Sequence, residues 1–544
     1  MAPADNRTGV VVPPEHAALT RLARLLLPNL AAMLAAATLL YCVFMFNADG
    51  QLFRDSDSGW HIRSGEWLLV HRALPRTDPY SFSKADEPWF EWEWGSDILV
   101  GWAHRIDGLR GVTALVALAI SACSWMWCRL HFAAGGDFLL ISALAPLMIT
   151  TSSLHWLARP HIFSWLFLLG ALLYAERFER RTASSKAESA QVRFSLTQLA
   201  VVAGVTAVWT NLHASFFLAP VIALIYAASH VLRPVVWPID HRGEFAKARW
   251  FLWAALAAAA GSLLNPYGWR LHAHVISYLR DDELTSRIAE FQSFNFHDKD
   301  ATQVALTVAV AAVGGTLALG QKKLAHFLLA GMFLWEGLRS ARVLPLVALL
   351  ILPLANGTIA EALSNARHLR LPLGRAVDRA LEYSARLRVL DNGLHGVLFL
   401  ATVVFASLLV LRTPAFSRNI GFPAAQFPVE AAVVVEKLPA DARLLAPDSF
   451  GGYLIYRFNG SRKVFVDGRS DFYGAPFMKQ YLALMSARPG WQDILRSYRF
   501  THALLPNDSA LTGALEQAGW VPLHHDNVAT LLEWHPAPNP RRDQ

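Results

Sequence analysis

Residues 25–68 read LLLPNLAAMLAAATLLYCVFMFNADGQLFRDSDSGWHIRSGEWL: an apolar run that ends in a cluster of acids and tryptophans. The part from 25 to 48 carries no Asp, Glu, Lys or Arg, and about 20 such residues suffice to cross a bilayer as a helix. Arg21 and Arg24 precede it, which places residues 1–24 in the cytoplasm by the bias of basic residues to that side. No small-residue cleavage site follows the run, so it reads as a retained anchor. The chain then emerges on the outer face at Arg54-Asp55-Ser56-Asp57. In the next stretch, SGWHIRSGEWLLVHR, the spacing of Trp60, Trp67 and Leu68 among polar residues suits a helix lying in the interface.

Composition extends this reading to the whole chain. Of 544 residues, 54% are hydrophobic and 17% charged, against a usual ~25% charged. The mean hydropathy is +0.30. A disordered chain, a secreted disulfide scaffold and an ordinary cytosolic enzyme are excluded. The net charge of +7 reflects basic residues in short loops between apolar runs, where they set orientation, so no nucleic-acid partner is expected. Cys42, Cys123 and Cys128 all lie in apolar stretches and predict buried thiols rather than a disulfide framework.

Further apolar runs fall at 111–128, 138–158, 160–175, 194–232, 250–269, 301–321, 324–335, 343–360 and 392–411. Asn211-Leu212-His213 divides the long run in two, for about eleven spans within 25–412, a polytopic α-helical membrane protein. Alternation puts the segment with Arg177, Arg180, Arg181, Lys186 and Arg193 in the cytoplasm, together with the one carrying Arg367, Arg370, Arg375, Arg379, Arg386 and Arg388. The loop 47–109, in which acids outnumber bases, is outside, and so is everything from 413 onward. There the texture changes. The runs ARLLAP, GGYLIYRF, RKVFVDGR and HALLPN read as short strands, and 475–487 and 509–518 as helices. They predict an extracytoplasmic α/β domain within 413–535, its folded part starting near 425, and residues 536–544 read as a disordered end.

With this topology the unusual polar residues gather at the outer face. Asp55, Asp57 and His61 are joined there by Glu91 and Glu93 of FEWEW, and by Arg159 and His161 of LARPH. Asn211 and His213 of NLHASF follow, then Glu290, and finally Arg339 and Arg342. Ionisable groups at membrane depth are costly and point to function. A carboxylate there can take a proton from a nucleophile, with Asp55 and Asp57 the candidates for the base. Arginines at the same depth can grip a phosphate, the role expected for Arg159, Arg339 and Arg342. His61, Glu91, Glu93, His161, Asn211, His213 and Glu290 are accessory candidates.

On these residues the chain resembles the GT-C superfamily of polytopic glycosyltransferases. The catalytic Asp of that superfamily follows the first span, at the place of Asp55 or Asp57, and interfacial helices come next. The resemblance implies inverting transfer of a sugar from a polyprenyl-phosphate-linked donor at the outer face of a bacterial plasma membrane. The segments 449–456 and 463–469 resemble the acceptor region of oligosaccharyltransferase catalytic subunits, which would put Tyr453, Asp467 and Arg469 on the acceptor side. Both tryptophans and the acid of the W-W-D-Y-G motif are missing here. Ser286-Arg287-Ile288-Ala289-Glu290 resembles the T-I-x-E motif of the same enzymes, while 151–159 lacks their metal-binding acids. Asp55, Asp57 and Glu290 could hold a divalent metal; no other cofactor is implied. A non-catalytic transporter or scaffold for lipid-linked glycan assembly is the alternative. Transporters carry charged or broken helices near the midplane, whereas these runs are nearly free of charge. Neither the sugar nor the acceptor can be read from the residues.

Overall fold

The structure, a computed structural model, describes residues 20–184, 195–298, 301–366 and 374–535. Most of the N-terminal segment 1–24, the bases Lys186, Arg193, Arg367 and Arg370, and the end at 536–544 lie outside the described residues.

Each of the eleven apolar stretches holds a helix. Among the described residues five helical stretches are long and apolar enough to cross a membrane: Leu30–Asp49, Trp94–Ala133, Ala214–Val236, Ala301–Gly320 and Ala341–Ala366. A sixth candidate is the pair Gly374–Asn392 and Val397–Leu411, bent by 79°. The short runs at 160–175 and 324–335 belong to longer helices, His161–Ser184 and Leu324–Arg339, because polar residues continue the helix past the apolar part. One acid does lie within this helical packing. Glu176 is 4% exposed and accepts from the Tyr226 hydroxyl at 2.6 Å, with His326 Nε2 at 2.8 Å; its partners make its burial tolerable.

The segment 47–109 forms a helix at Asp57–His71, where the sequence suggested one. A second amphipathic stretch starts at Trp94 and is set off from the apolar half of Trp94–Ala133 by a kink at Asp107-Gly108. Gly108, with φ 58° and ψ −146°, takes a conformation closed to residues with a Cβ. The two stretches touch at glycines: a Cβ on Gly65 would meet the Asp97 carbonyl oxygen at 1.8 Å.

The C-terminal domain has a four-stranded sheet in the order β1-β2-β4-β3. β1 (Leu444–Leu445) runs parallel to β2 (His502–Pro506); β4 (Ala529–Trp534) is antiparallel to β2 and to β3 (Trp520–His525). ARLLAP and HALLPN thus supply strands, and helices form at Ser470–Met485 and Ala510–Gln517, as the sequence suggested. Two of the expected strands are not strands. GGYLIYRF lies in the helix Asp448–Arg457. Phe450 to Ile455 are buried without a break, and a continuous apolar run has no period to separate helix from strand. RKVFVDGR is extended but joins no sheet strand. Val464 instead makes one parallel bridge to Ser81 of the segment 47–109, with Phe82 N–H to Val464 O at 3.0 Å and Val464 N–H to Tyr80 O at 2.9 Å.

The domain therefore seats on the loop that carries Asp55 and Asp57. Its helix Asp448–Arg457 lies against Asp57–His71, glycine to glycine. A Cβ on Gly452 would fall 2.2 Å from the Ser56 carbonyl oxygen, and one on Gly59 would fall 2.1 Å from that of Gly452.

Candidate active site

Asp55 ends a short loop and Asp57 opens the interfacial helix; the Asp57 N–H donates to Asp55 Oδ1 at 2.9 Å. The loop 154–160 is tied to them through Ala158 N–H to Leu52 O at 2.8 Å. It delivers Arg159 into the middle of the acids. Nη1 lies 2.7 Å from Asp55 Oδ2 and 2.6 Å from Glu290 Oε1, and Nη2 lies 3.1 Å from Asp57 Oδ2. Glu290 sits on the turn Ala289–Phe291. Ser340 Oγ donates to the Glu290 carbonyl at 2.9 Å, and Ala341 N–H to Gln292 O at 2.8 Å, so this turn and the one bearing Arg342 are held together. Arg342 Nη1 comes within 4.0 Å of Glu290 Oε2, and its guanidinium stands 4.7 Å from the Phe291 ring centre. His155 Nε2, absent from the expected set, lies 3.7 Å from Glu290 Oε1.

The other expected residues divide. His61, Glu91, Glu93 and His213 form a second cluster with Asp97. His61 Nδ1 is 2.7 Å from Asp97 Oδ1 and its Nε2 is 3.9 Å from Glu93 Oε2, while His213 Nε2 is 3.5 Å from Glu93 Oε1. His161 links the two clusters, with ring centres 5.5 Å from His155 and 6.5 Å from His213. Asn211 is a strut: it accepts from Trp94 Nε1 at 2.9 Å and donates to Ala207 O and Leu264 O. Arg339 is not brought in. Ser340, at φ −139°, breaks the helix, so Arg339 and Arg342 do not share a helix face; Arg339 is exposed beside Trp335. Tyr453 packs in the C-terminal core against Phe422 and Phe427. Asp467 and Arg469 form a buried forked pair, and Arg469 Nη1 reaches Asp78 of the segment 47–109 at 2.8 Å. Between them, Gly468 is pressed to Asp57: a Cβ there would meet Asp57 Oδ1 at 1.8 Å.

Sequence reading missed Asp78 and Asp97. Asp97 had a signal, standing four residues after Glu93 at the start of an amphipathic helix. Asp78 had none, since its partner Arg469 is nearly four hundred residues away.

Burial, with Asp55 beside it, pushes the Asp57 carboxyl up to about 8, against the pull of Arg159. Burial also carries Glu91 and Glu93 up to about 8 and His213 down to about 3. Glu290 behaves in the opposite way. Burial would raise it, but Arg159, His155 and Arg342 hold it well below its ordinary value. Asp57, Glu91 and Glu93 thus keep protons in the folded chain up to about 8, where unfolded carboxyls lose them near about pH 4. The stability this contributes is complete below about pH 4 and is lost as pH rises through about 8. Glu91→Gln removes one such group and is expected to flatten the fall in unfolding temperature between about pH 5 and pH 9. Scans of the detergent-solubilised protein check this, and an unchanged slope would contradict it.

A divalent metal does not fit the three acids as they stand, because Arg159 fills the point on which they converge. Among the described residues, Glu430, His524 and Asp526 are the one group with ligand atoms close enough for an ion. There Asp526 already caps the N–H groups of Ala431, Val528 and Ala529.

No protein-family model and no curated protein matches the sequence. Solved structures do match. The archaeal oligosaccharyltransferase AglB from Archaeoglobus fulgidus, in complex with an inhibitory peptide and a dolichol-phosphate, superposes over 88% of this chain and 69% of its own, with a TM-score of 0.56 and 12% identity. The Archaeoglobus fulgidus oligosaccharyltransferase tethered to an acceptor peptide containing the NVT sequon covers 88% and 68%, at TM-score 0.51 and 11% identity. ArnT from Cupriavidus metallidurans bound to undecaprenyl phosphate also matches, over 92% and 97%, at TM-score 0.40 and 11% identity. The chain has the GT-C fold, a multi-pass helical membrane module with a folded C-terminal domain.

Proposed function

We propose that this protein is an inverting glycosyltransferase that moves a sugar from a polyprenyl-phosphate-linked donor to an acceptor at the outer face of the membrane. The observation that carries the reading is the meeting of Asp55, Asp57, Arg159, Glu290 and Arg342, drawn from four separate loops, at one end of the apolar helices. Asp55 takes the proton from the acceptor nucleophile, with Asp57 beside it as an accessory acid. The nucleophile attacks the anomeric carbon from the face opposite the phosphate. The C1–O bond to the phosphate breaks, and polyprenyl phosphate leaves with its charge held by Arg342. Asp467 and Arg469 serve the acceptor side by fixing Gly468 against Asp57. The matched structures hold, by their descriptions, a dolichol-phosphate and acceptor peptides, which supports a lipid-phosphate donor here.

Replacing Arg342 by Lys keeps the charge and removes the planar fork. Donor-phosphate affinity is expected to fall on the order of tenfold, measured by titrating polyprenyl phosphate into the purified protein. Unchanged affinity would return Arg342 to simple snorkelling at the membrane edge.

The reading needs eleven spans and a C-terminal domain outside. Asp508 is exposed on that domain, and Cys42, Cys123 and Cys128 are buried. Asp508→Cys is therefore expected to be labelled in intact spheroplasts by a membrane-impermeant thiol reagent. Labelling only after lysis would place the domain, and the site with it, on the other side.

A further inference from the structure

Arg159 occupies the place where a dication would serve three acids. Asp55 and Glu290 both bind Nη1, at 2.7 and 2.6 Å, and Asp57 binds Nη2 at 3.1 Å. The three carboxyls come from two segments far apart in the chain, and their mutual repulsion has to be offset by a cation at the centre. A guanidinium can do this: it is planar, permanently charged and offers several N–H donors at once. It is also anchored. Trp156, Leu157 and Ala158 before it and Pro160 after it are buried, and the Ala158 N–H is bonded to Leu52 O. A metal ion could reach these oxygens only by expelling a side chain that three acids hold.

The geometry points to Arg159 as the built-in cation of this site, organising Asp55, Asp57 and Glu290 without a divalent metal. This deepens the proposed function and rests on it. It also moves Arg159 away from the donor phosphate, because its N–H groups are committed to carboxylates. Arg342, at the rim of the cluster, remains available for the phosphate. As a positioning residue Arg159 acts through the acids and not on the substrate.

Titration of Mn²⁺ into the full-length purified protein, followed by electron paramagnetic resonance, tests this without relying on activity. The wild type is expected to show no saturable Mn²⁺ that depends on Glu290; binding that survives Glu290→Gln lies elsewhere and leaves the inference standing. Arg159→Ala frees the three carboxyls and is expected to gain one saturable Mn²⁺, lost again on adding Glu290→Gln. Arg159→Lys retains a cation and is expected to gain none. A stoichiometric Mn²⁺ in the wild type that disappears in Glu290→Gln overturns the inference, and so does an Arg159→Ala protein that gains no site. A wild type with no saturable Mn²⁺ at all supports the inference even where the variants do not fold. Sugar transfer that EDTA abolishes would sink this inference and leave the proposed function standing. Absence of transfer with every lipid-linked donor, together with no Glu290-dependent Mn²⁺, would sink the proposed function and leave Arg159 as the cation of the cluster.

Discussion

Asp55→Asn and Asp57→Asn are each expected to lower sugar transfer by about 10²–10⁴-fold while the protein remains folded. Asparagine keeps the shape of the side chain and removes the oxygen that accepts the proton. The two acids are not equivalent in the structure. Asp55 takes the short contact from Arg159 Nη1 and accepts the Asp57 N–H. Asp57 is 7% exposed and stands against Gly468, and burial keeps it protonated up to about pH 8. Asp57→Asn is therefore the milder loss of the two. Transfer rates with a lipid-linked donor, alongside unfolding scans, separate chemistry from folding. Near-normal transfer in both single variants would remove the site from this loop.

Arg469→Met is expected to destabilise the protein by about 3–5 kcal/mol, the range found when one partner of a buried ion pair is removed. Asp467 and Asp78 each have a side-chain exposure of 0%, and Arg469 only 2%. The Arg469 guanidinium also stands 4.7 Å from the Trp89 ring centre and 5.2 Å from that of Tyr80, so the loss includes packing as well as charge. Because Asp78 belongs to the first outer loop, the same change is expected to loosen the seat of the C-terminal domain. Limited proteolysis between residues 413 and 430 reports on that seat, and denaturant unfolding gives the energy. Asp78→Asn combined with Arg469→Met is expected to recover part of the loss by removing an uncompensated charge. Wild-type stability in Arg469→Met would show that the pair contributes nothing to the docking.

What the sequence disclosed follows from the range of the forces involved. The helices were legible because a bilayer demands a long run of apolar residues, and such a run is a local signal. The interfacial helix at Asp57–His71 was legible for a similar reason, since its tryptophans and polar residues alternate within a few turns. Asp55, Asp57, Arg159 and Glu290 could be gathered from topology alone, each lying in a loop on the same side. What they do to one another could not. That Arg159 faces three acids rather than a phosphate depends on how the loop 154–160 docks on Leu52, a contact between segments about a hundred residues apart. The strand reading of GGYLIYRF failed because Gly451 and Gly452, which look like turn residues, are instead the places where a helix admits close neighbours: the Val466 carbonyl at Gly451 and the Ser56 carbonyl at Gly452. Tyr453 was placed at the acceptor side on a resemblance and lies in an aromatic core, where its ring packs with Phe422 and Phe427.

The most direct test of lipid-linked sugar transfer by the Asp55 site is mass spectrometry of the lipid-linked sugars and envelope glycans of a strain lacking this protein, complemented with wild type or with Asp55→Asn/Asp57→Asn. The expected result is accumulation of one polyprenyl-phosphate-linked sugar and loss of that sugar from an envelope glycan, both reversed by the wild type and not by the double Asn variant. An unchanged lipid and glycan profile, or full reversal by the double Asn variant, would contradict it.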